Sequence, residues 1–128
     1  MRLLFDTHAL LWFYLDDPQL SVTAHSLIVD PSNIKLVSPS SYWEIAIKIS
    51  KKKYALTKPY EVSMREAIND NGFGYLPIEP RHTAILTTLP FHHKDPFDRL
   101  LIAQAGYENI PIVSADVQLD AYGITRLW

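Results

Sequence analysis

Short apolar runs alternate with helical patterns along this chain, and this alternation limits the possible folds more than any other feature. Five runs are bounded by turn residues and are typical of strands: residues 2–5 (RLLF), 34–37 (IKLV), 74–78 (GYLPI), 111–114 (PIVS) and 124–128 (ITRLW), the last an edge strand. Strands that alternate with helices form a mainly parallel sheet with helices on both faces. We therefore expect a three-layer α/β/α sandwich, with residues 1–128 forming one domain.

The helical segments begin at recognisable capping residues. Ser21 is expected to cap the segment that follows it, and Ser40 or Ser41 precedes a long amphipathic stretch that runs to residue 53. Asp95 is expected to cap a later helix that has Pro96 at its first position. Residues 53–59 and 90–94 are typical of loops and not of linkers between domains.

Composition excludes several classes of protein. The net charge of −2 gives no overall attraction to nucleic acid, and the lack of cysteine excludes disulfides and thiolate metal sites. Asp6 and His8 interrupt the first apolar stretch, so we do not expect this stretch to be a signal peptide. No run approaches the roughly 20 apolar residues that a membrane span needs. We expect a soluble, cytoplasmic protein without a membrane partner.

Four acids are expected at one edge of the sheet. Asp6 directly follows the first strand, and Asp116 lies two residues after the fourth. Glu44 and Asp98 lie near the starts of helices that descend from the same edge, where parallel sheets bind their ligands. Asp98 also shares its helical stripe with apolar positions, so its side chain should point inward; these positions are Leu101, Ile102 and Ala105.

Each acid also has a local explanation. Asp6 could cap the next helix, and Asp116 could be a turn residue. Glu44 could form a solvated i,i+4 pair with Lys48, and Asp98 could serve only the helix dipole. These explanations are each sufficient for one acid, but four acids at one edge favour a common site.

A carboxylate cluster needs a proton or a cation. Carboxylates within about 4–6 Å of one another repel, so either one remains protonated or a cation lies among them. Adjacent histidines such as His92 and His93 point apart, so we expect no nitrogen ligands. Oxygen ligands alone favour Mg²⁺ or Mn²⁺ over Zn²⁺, and the matching reaction is phosphodiester hydrolysis.

Four stretches carry a family resemblance: LLFDTHALLW, SYWEIAIKISKKKYAL, HHKDPFDRLLIAQA and PIVSADVQLDAYGI. In order and spacing they resemble the PIN-domain ribonucleases, and more narrowly the toxins of VapBC-type toxin–antitoxin modules. The resemblance covers nearly the whole chain. It implies a small α/β sandwich and a Mg²⁺- or Mn²⁺-dependent endoribonuclease that cleaves RNA. It also implies a homodimer, and a cognate antitoxin protein that inhibits by occupying the site.

The resemblance assigns roles to individual residues. It implies a catalytic and metal-binding quartet of Asp6, Glu44, Asp98 and Asp116. Outer or substrate-binding positions would be Thr7, Asp95 and Ser114, since Asp98 matches the family's third acid better than Asp95 does. One departure is the basic run at 51–53, where the family often has a glycine.

Basic residues near the acids are candidates for phosphate contacts. Arg99 is the preferred one because it neighbours Asp98, and Lys48 is a second. For the lysines at 51–53, a solvated helix end is the simpler interpretation.

Three competing functions were weighed against this hypothesis. A haloacid-type phosphatase needs a second acid two residues after the first, where this chain has His8. A phosphotransfer receiver needs paired acids after its first strand and a lysine after a late one, and neither is in place. A catalytically inactive RNA- or protein-binding module on the same fold is separated from an enzyme only by an assay.

Overall fold

The computed structural model describes all residues from 1 to 128, and its centre is a parallel sheet. The strands are β1 (Arg2–Phe5), β2 (Ile34–Val37), β3 (Gly74–Tyr75), β4 (Ile112–Val113) and β5 (Arg126–Leu127). All neighbours pair in parallel in the order β3-β2-β1-β4-β5. The five predicted strands are confirmed, including the edge position of β5, although the last three are shorter than predicted.

Helices connect the strands. They are α1 (Thr7–Tyr14), α2 (Val22–Val29), α3 (Pro39–Ser50), α4 (Tyr60–Met64), α5 (Pro80–Leu86) and α6 (Pro96–Glu108). A π-helical turn (Arg65–Asp70) continues α4, and a 3-10 helix (Val117–Tyr122) follows β4. The predicted caps Ser21 and Asp95 are confirmed, since each accepts backbone N–H groups of its own helix. None of the helices has the length and apolar character needed to cross a bilayer.

Helix α3 begins earlier than the sequence analysis predicted. Its cap is Ser38, whose hydroxyl accepts the N–H of Ser40 at 3.2 Å, and Pro39 occupies the first helical position. Proline suits this position because its fixed φ fits a helix and its missing N–H would have no partner there. The prediction of Ser40 or Ser41 as the start was therefore wrong, and Glu44 lies in the second turn.

The sheet separates two apolar cores. Along β1 the buried side chains alternate, with Leu3 and Phe5 on one face and Leu4 on the other. The first face packs against α1 to α4, and the second against α6 and the 3-10 helix, while α5 packs on α6. The predicted three-layer α/β/α sandwich is thus confirmed.

The direction of chain progression reverses at β1. Strands β2 and β3 extend the sheet on one side of β1, while β4 and β5 extend it on the other. The carboxyl ends of β1 and β4 are in register, with Phe5 opposite Val113. Such a reversal opens a crevice at the strand ends, which is where open α/β sheets bind ligands.

Candidate metal centre

Asp6 lies at the carboxyl end of β1 and is buried. One carboxylate oxygen accepts the N–H of Ala9 at 2.8 Å, so Asp6 does cap α1. The other accepts the hydroxyl of Ser114 at 2.5 Å, across from β4. Burial raises the pKa of Asp6 and outweighs the opposing effect of these two hydrogen bonds. The capping role and a place in the cluster therefore belong to the same side chain.

Glu44 projects from α3 into the same crevice and is only 4% exposed. Its two oxygens have separate partners: the hydroxyl of Thr7 donates at 2.7 Å, and the Lys48 ammonium lies at 3.0 Å. The expected i,i+4 pair with Lys48 is present, but it is not on a solvated face. Partial burial lowers the pKa of Lys48, while the hydrogen bond and charge of Glu44 outweigh this and raise it overall.

Asp98 lies in the first turn of α6. Its stripe neighbours Leu101, Ile102 and Ala105 are buried, as predicted. Burial, followed by the charge of Asp95, raises the pKa of Asp98 to about 7, and the charges of Glu44 and Asp6 add to the increase. Three of the four predicted acids therefore act on one another electrostatically.

Asp116 caps the 3-10 helix after β4, where one oxygen accepts the N–H of Gln118 at 3.0 Å. Its backbone N–H donates to the hydroxyl of Ser114 at 3.0 Å. Ser114 thus contacts both Asp6 and Asp116, the outer position that the resemblance implied for it. The side chain of Asp116 is 34% exposed, the most open of the four acids.

His93 also belongs to the cluster, although the sequence analysis expected no histidine there. Its Nε2 lies 2.7 Å from an oxygen of Asp116 and 3.3 Å from an oxygen of Asp98. His92 points away and packs against the edge of Tyr122. The two histidines do point apart, as predicted, and one of them thereby faces the acids. His93 lies just before the helix that carries Asp98, and this position in the sequence could have indicated that it belongs to the cluster.

Arg99 does not face the crevice, which corrects its predicted role as a phosphate contact. The guanidinium is buried and donates to the carbonyl groups of Leu89, Pro90 and His93, at 3.1, 2.8 and 3.4 Å. The ring of Phe91 covers the guanidinium, with the ring centroid 3.9 Å from Cζ of Arg99. Arg99 therefore holds the loop before α6. Lys48 is likewise engaged by Glu44, and Asp95 by the N-terminus of α6.

An aromatic pair joins the two helices that carry Glu44 and Asp98. Trp43 precedes Glu44 on α3, Phe97 precedes Asp98 on α6, and their rings meet edge to face with centroids 5.3 Å apart. Trp43 is 59% exposed. The exposed indole offers a flat apolar surface where α3 and α6 meet.

The fold and this cluster define the class of protein. A family model described as PIN domain matches residues 3–124, nearly the whole chain. The protein therefore belongs to the PIN-domain family. No curated protein sequence matches it.

Solved structures share the fold at low sequence identity. VapBC2 from Rickettsia felis, bound to a DNA fragment from its promoter, has a TM-score of 0.72 at 14% identity, covering 99% of this chain and 98% of that one. VapBC-1 from nontypeable Haemophilus influenzae has a TM-score of 0.68 at 16% identity, covering 99% of this chain and 97% of that one. FitAcB from Neisseria gonorrhoeae has a TM-score of 0.64 at 13% identity, covering 98% of this chain and 96% of that one.

Proposed function

We propose that this protein is a metal-dependent endoribonuclease and the toxin of a toxin–antitoxin pair. The observation that carries the proposal is the meeting of Asp6, Glu44 and Asp98 at the crevice beside β1, with the pKa of Asp98 raised to about 7. Asp116 joins them through Ser114 and His93. Membership of the PIN-domain family supports the same conclusion.

The residues of the cluster fit a divalent cation. Burial and the charge of Asp95 raise the pKa of Asp98, and the charges of Glu44 and Asp6 add to the increase, so a cation among these acids would favour their ionised forms. The donors of the quartet are all carboxylate oxygens, which suit Mg²⁺ or Mn²⁺; the proposed ligands are Asp6, Glu44, Asp98 and Asp116. When bound, the ion would supply charge stabilisation at the phosphate and lower the pKa of water.

The surrounding side chains hold these carboxylates in place. Thr7 and Lys48 fix the two oxygens of Glu44, and Ser114 fixes Asp6 relative to Asp116. The contacts of Thr7 with Glu44 and of Ser114 with Asp6 are buried, so these carboxylates have few alternative positions. Such preorganisation reduces the cost of assembling a reactive arrangement around a substrate phosphate.

RNA is the proposed substrate, and two exposed features support it. The aromatic pair of Trp43 and Phe97 offers a surface on which an unpaired base can stack. Lys94 is exposed in the loop that carries His93 and replaces Arg99 as the nearby cation for a phosphate. A local contact of this kind is needed because the net charge is −2.

The proposed partners are an antitoxin protein and a second copy of the chain. Two of the structures named above are VapBC structures by their titles and share the fold of this chain, and VapBC-type modules are the toxin–antitoxin pairs that the sequence resembles. We place the activity in the cytoplasm, where RNA is available. A catalytically inactive module that only binds RNA or protein is the alternative.

Cleavage of RNA by the purified protein tests the proposal. We expect a labelled single-stranded RNA to be cut internally with Mg²⁺ or Mn²⁺, and not with EDTA. Asp6→Asn should abolish cleavage, because it removes a charge from the cluster while leaving an oxygen to cap α1. Asp70→Asn is the matched control, since Asp70 is an exposed acid outside the crevice.

Each alternative outcome has a distinct meaning. Cleavage that survives both EDTA and Asp6→Asn would contradict the metal mechanism. RNA binding without cleavage under all metal conditions would favour the inactive module.

A further inference from the structure

His93 bridges two acids that come from different elements. Its Nε2 lies 2.7 Å from Asp116, the residue that caps the 3-10 helix, and 3.3 Å from Asp98, on α6. The three facing atoms lie within 4.8 Å of one another. Imidazole is a suitable ligand for transition metals, so a histidine and two aspartates that converge in this way suggest such a site with one nitrogen ligand.

The other ring nitrogen contradicts that interpretation. Nδ1 of His93 accepts the backbone N–H of Asp95 at 3.1 Å. A backbone amide only donates, so Nδ1 keeps its lone pair and has no proton. The ring proton is therefore on Nε2, which points at two carboxylate oxygens and has no lone pair left for a cation. Histidines that bind metal show the reverse arrangement, because their free nitrogen donates its N–H.

We propose that His93 is a positioning residue and not a metal ligand. Its Nε2–H donates to Asp116 and Asp98 and holds the two carboxylates together, so the ion is bound by oxygen alone. This inference rests on the proposed function, because those carboxylates are the proposed ligands.

The loop around His93 is fixed from the same two elements that carry the acids. Arg99, next to Asp98 on α6, donates to the carbonyl group of His93 and to two carbonyl groups before it. The hydroxyl of Tyr122, at the end of the 3-10 helix, accepts the N–H of His93 at 2.8 Å and donates to Pro90 at 2.7 Å. The ring is thus tied to α6 and to the 3-10 helix independently of its contacts with the acids.

Asp116 depends most on this contact. It is the most exposed of the four acids, and besides the contact with His93 its carboxylate accepts only the N–H of Gln118. Loss of a residue that orients a metal-binding carboxylate typically weakens metal binding about 10- to 100-fold. His93→Ala should therefore weaken Mn²⁺ binding by about that factor. His93→Gln should restore most of the affinity, since the glutamine amide nitrogen can donate near the position of Nε2.

Two measurements test the proposal without using RNA. The first is a ¹H–¹⁵N correlation spectrum of histidine-labelled protein in EDTA, in which we expect the proton of His93 on Nε2. A proton on Nδ1 would overturn the proposal. The second is Mn²⁺ binding followed by electron paramagnetic resonance, with pulsed spectra of the bound ion. We expect no coupling to an imidazole nitrogen in the unmodified protein.

The variants separate positioning from ligation. We expect weak Mn²⁺ binding for His93→Ala, recovery for His93→Gln, and no change for the control His92→Ala. A nitrogen coupling that disappears in His93→Ala, or equal weakness of the alanine and glutamine variants, would overturn the proposal. So would a protein that binds no Mn²⁺. If Mn²⁺ binds without nitrogen coupling but RNA is not cut, the nuclease proposal fails and the role of His93 stands.

Discussion

Among the single residues, Asp98 has a pKa that rises from 3.8 to about 7, because burial and the charge of Asp95 disfavour its ionised form. Between these pH values the folded protein keeps a proton at Asp98 that the unfolded chain has released. The folded state then binds more protons than the unfolded state. The contribution of Asp98 to the free energy of unfolding therefore falls as pH rises through this range.

We predict that Asp98→Asn stabilises the metal-free protein at neutral pH. In EDTA, thermal unfolding should give similar Tm values for the variant and the unmodified protein near the acidic end of the range. At about pH 8 the variant should unfold several degrees higher, because it lacks the charge that burial penalises. With Mn²⁺ the order should reverse, since only the unmodified protein retains the full ligand set.

Asp120→Asn is the control, because the contribution of Asp120 to the free energy of unfolding changes with pH in the opposite direction. Hydrogen bonds from Arg126 lower the pKa of Asp120, so its contribution to stability is present above its unfolded pKa and is lost as pH falls. This variant should be destabilised at neutral pH and approach the unmodified protein in acid. A difference in Tm between Asp98→Asn and the unmodified protein that does not change with pH would refute the prediction for Asp98.

The acids could be predicted from the sequence, but the roles of their neighbours could not. Strand ends place Asp6 and Asp116 at one edge whatever the loops do. Arg99 was assigned to the crevice because it follows Asp98, yet successive residues on a helix point about 100° apart. The facing direction of His93 depends on Arg99 and on Tyr122, the latter 29 residues away, and no local pattern contains that information.

At the scale of elements, β1 and β4 were predictable because both of their faces are buried, which leaves continuous apolar runs. The start of α3 was less predictable, since Ser38, Ser40 and Ser41 are all good caps and Pro39 selects the first of them. The segment 60–70 has a helical pattern in the sequence and forms α4 followed by a π-helical turn. Its helical pattern contained no signal for the change in hydrogen bonding.

Helices α3 and α6 together present the aromatic pair, and this surface gives an element-scale prediction. Trp43→Ala should weaken binding of single-stranded RNA by about 1–3 kcal/mol for each base that stacks there. Binding is measured by fluorescence anisotropy in an Asp6→Asn background, so that the RNA stays intact. Mn²⁺ affinity of the single Trp43→Ala variant should not change, because the indole packs against Phe97 and Trp43 supplies none of the proposed ligands.

Tyr107→Ala is the control for loss of an exposed aromatic side chain. Tyr107 lies near the far end of α6 and packs against Arg81 and His82. RNA affinity should be unaffected by this change. If Trp43→Ala instead alters sedimentation and leaves RNA affinity intact, the aromatic pair belongs to a protein interface and not to the RNA site.

At the scale of the whole molecule, the sheet has two separate structural roles. Its faces hold the two apolar cores, whereas its carboxyl edge holds the acids. Residues as far apart in the sequence as Asp6 and Ser114 meet only because β1 and β4 are neighbours. The stability of the core and the affinity of the site should therefore be separable by mutation.

Leu4→Ala tests this separation. Leu4 is fully buried in the second core, so its truncation should lower the free energy of unfolding by about 2–5 kcal/mol through lost burial and a cavity. The control is Ile34→Ala in β2, which should have a much smaller effect because Ile34 is 57% exposed. Urea unfolding with and without Mn²⁺ measures both quantities. The increase in stability on adding Mn²⁺ should be the same for the two variants and the unmodified protein, since it depends on metal affinity alone. A smaller increase in Leu4→Ala would mean that the second core also sets the geometry of the acids at the sheet edge.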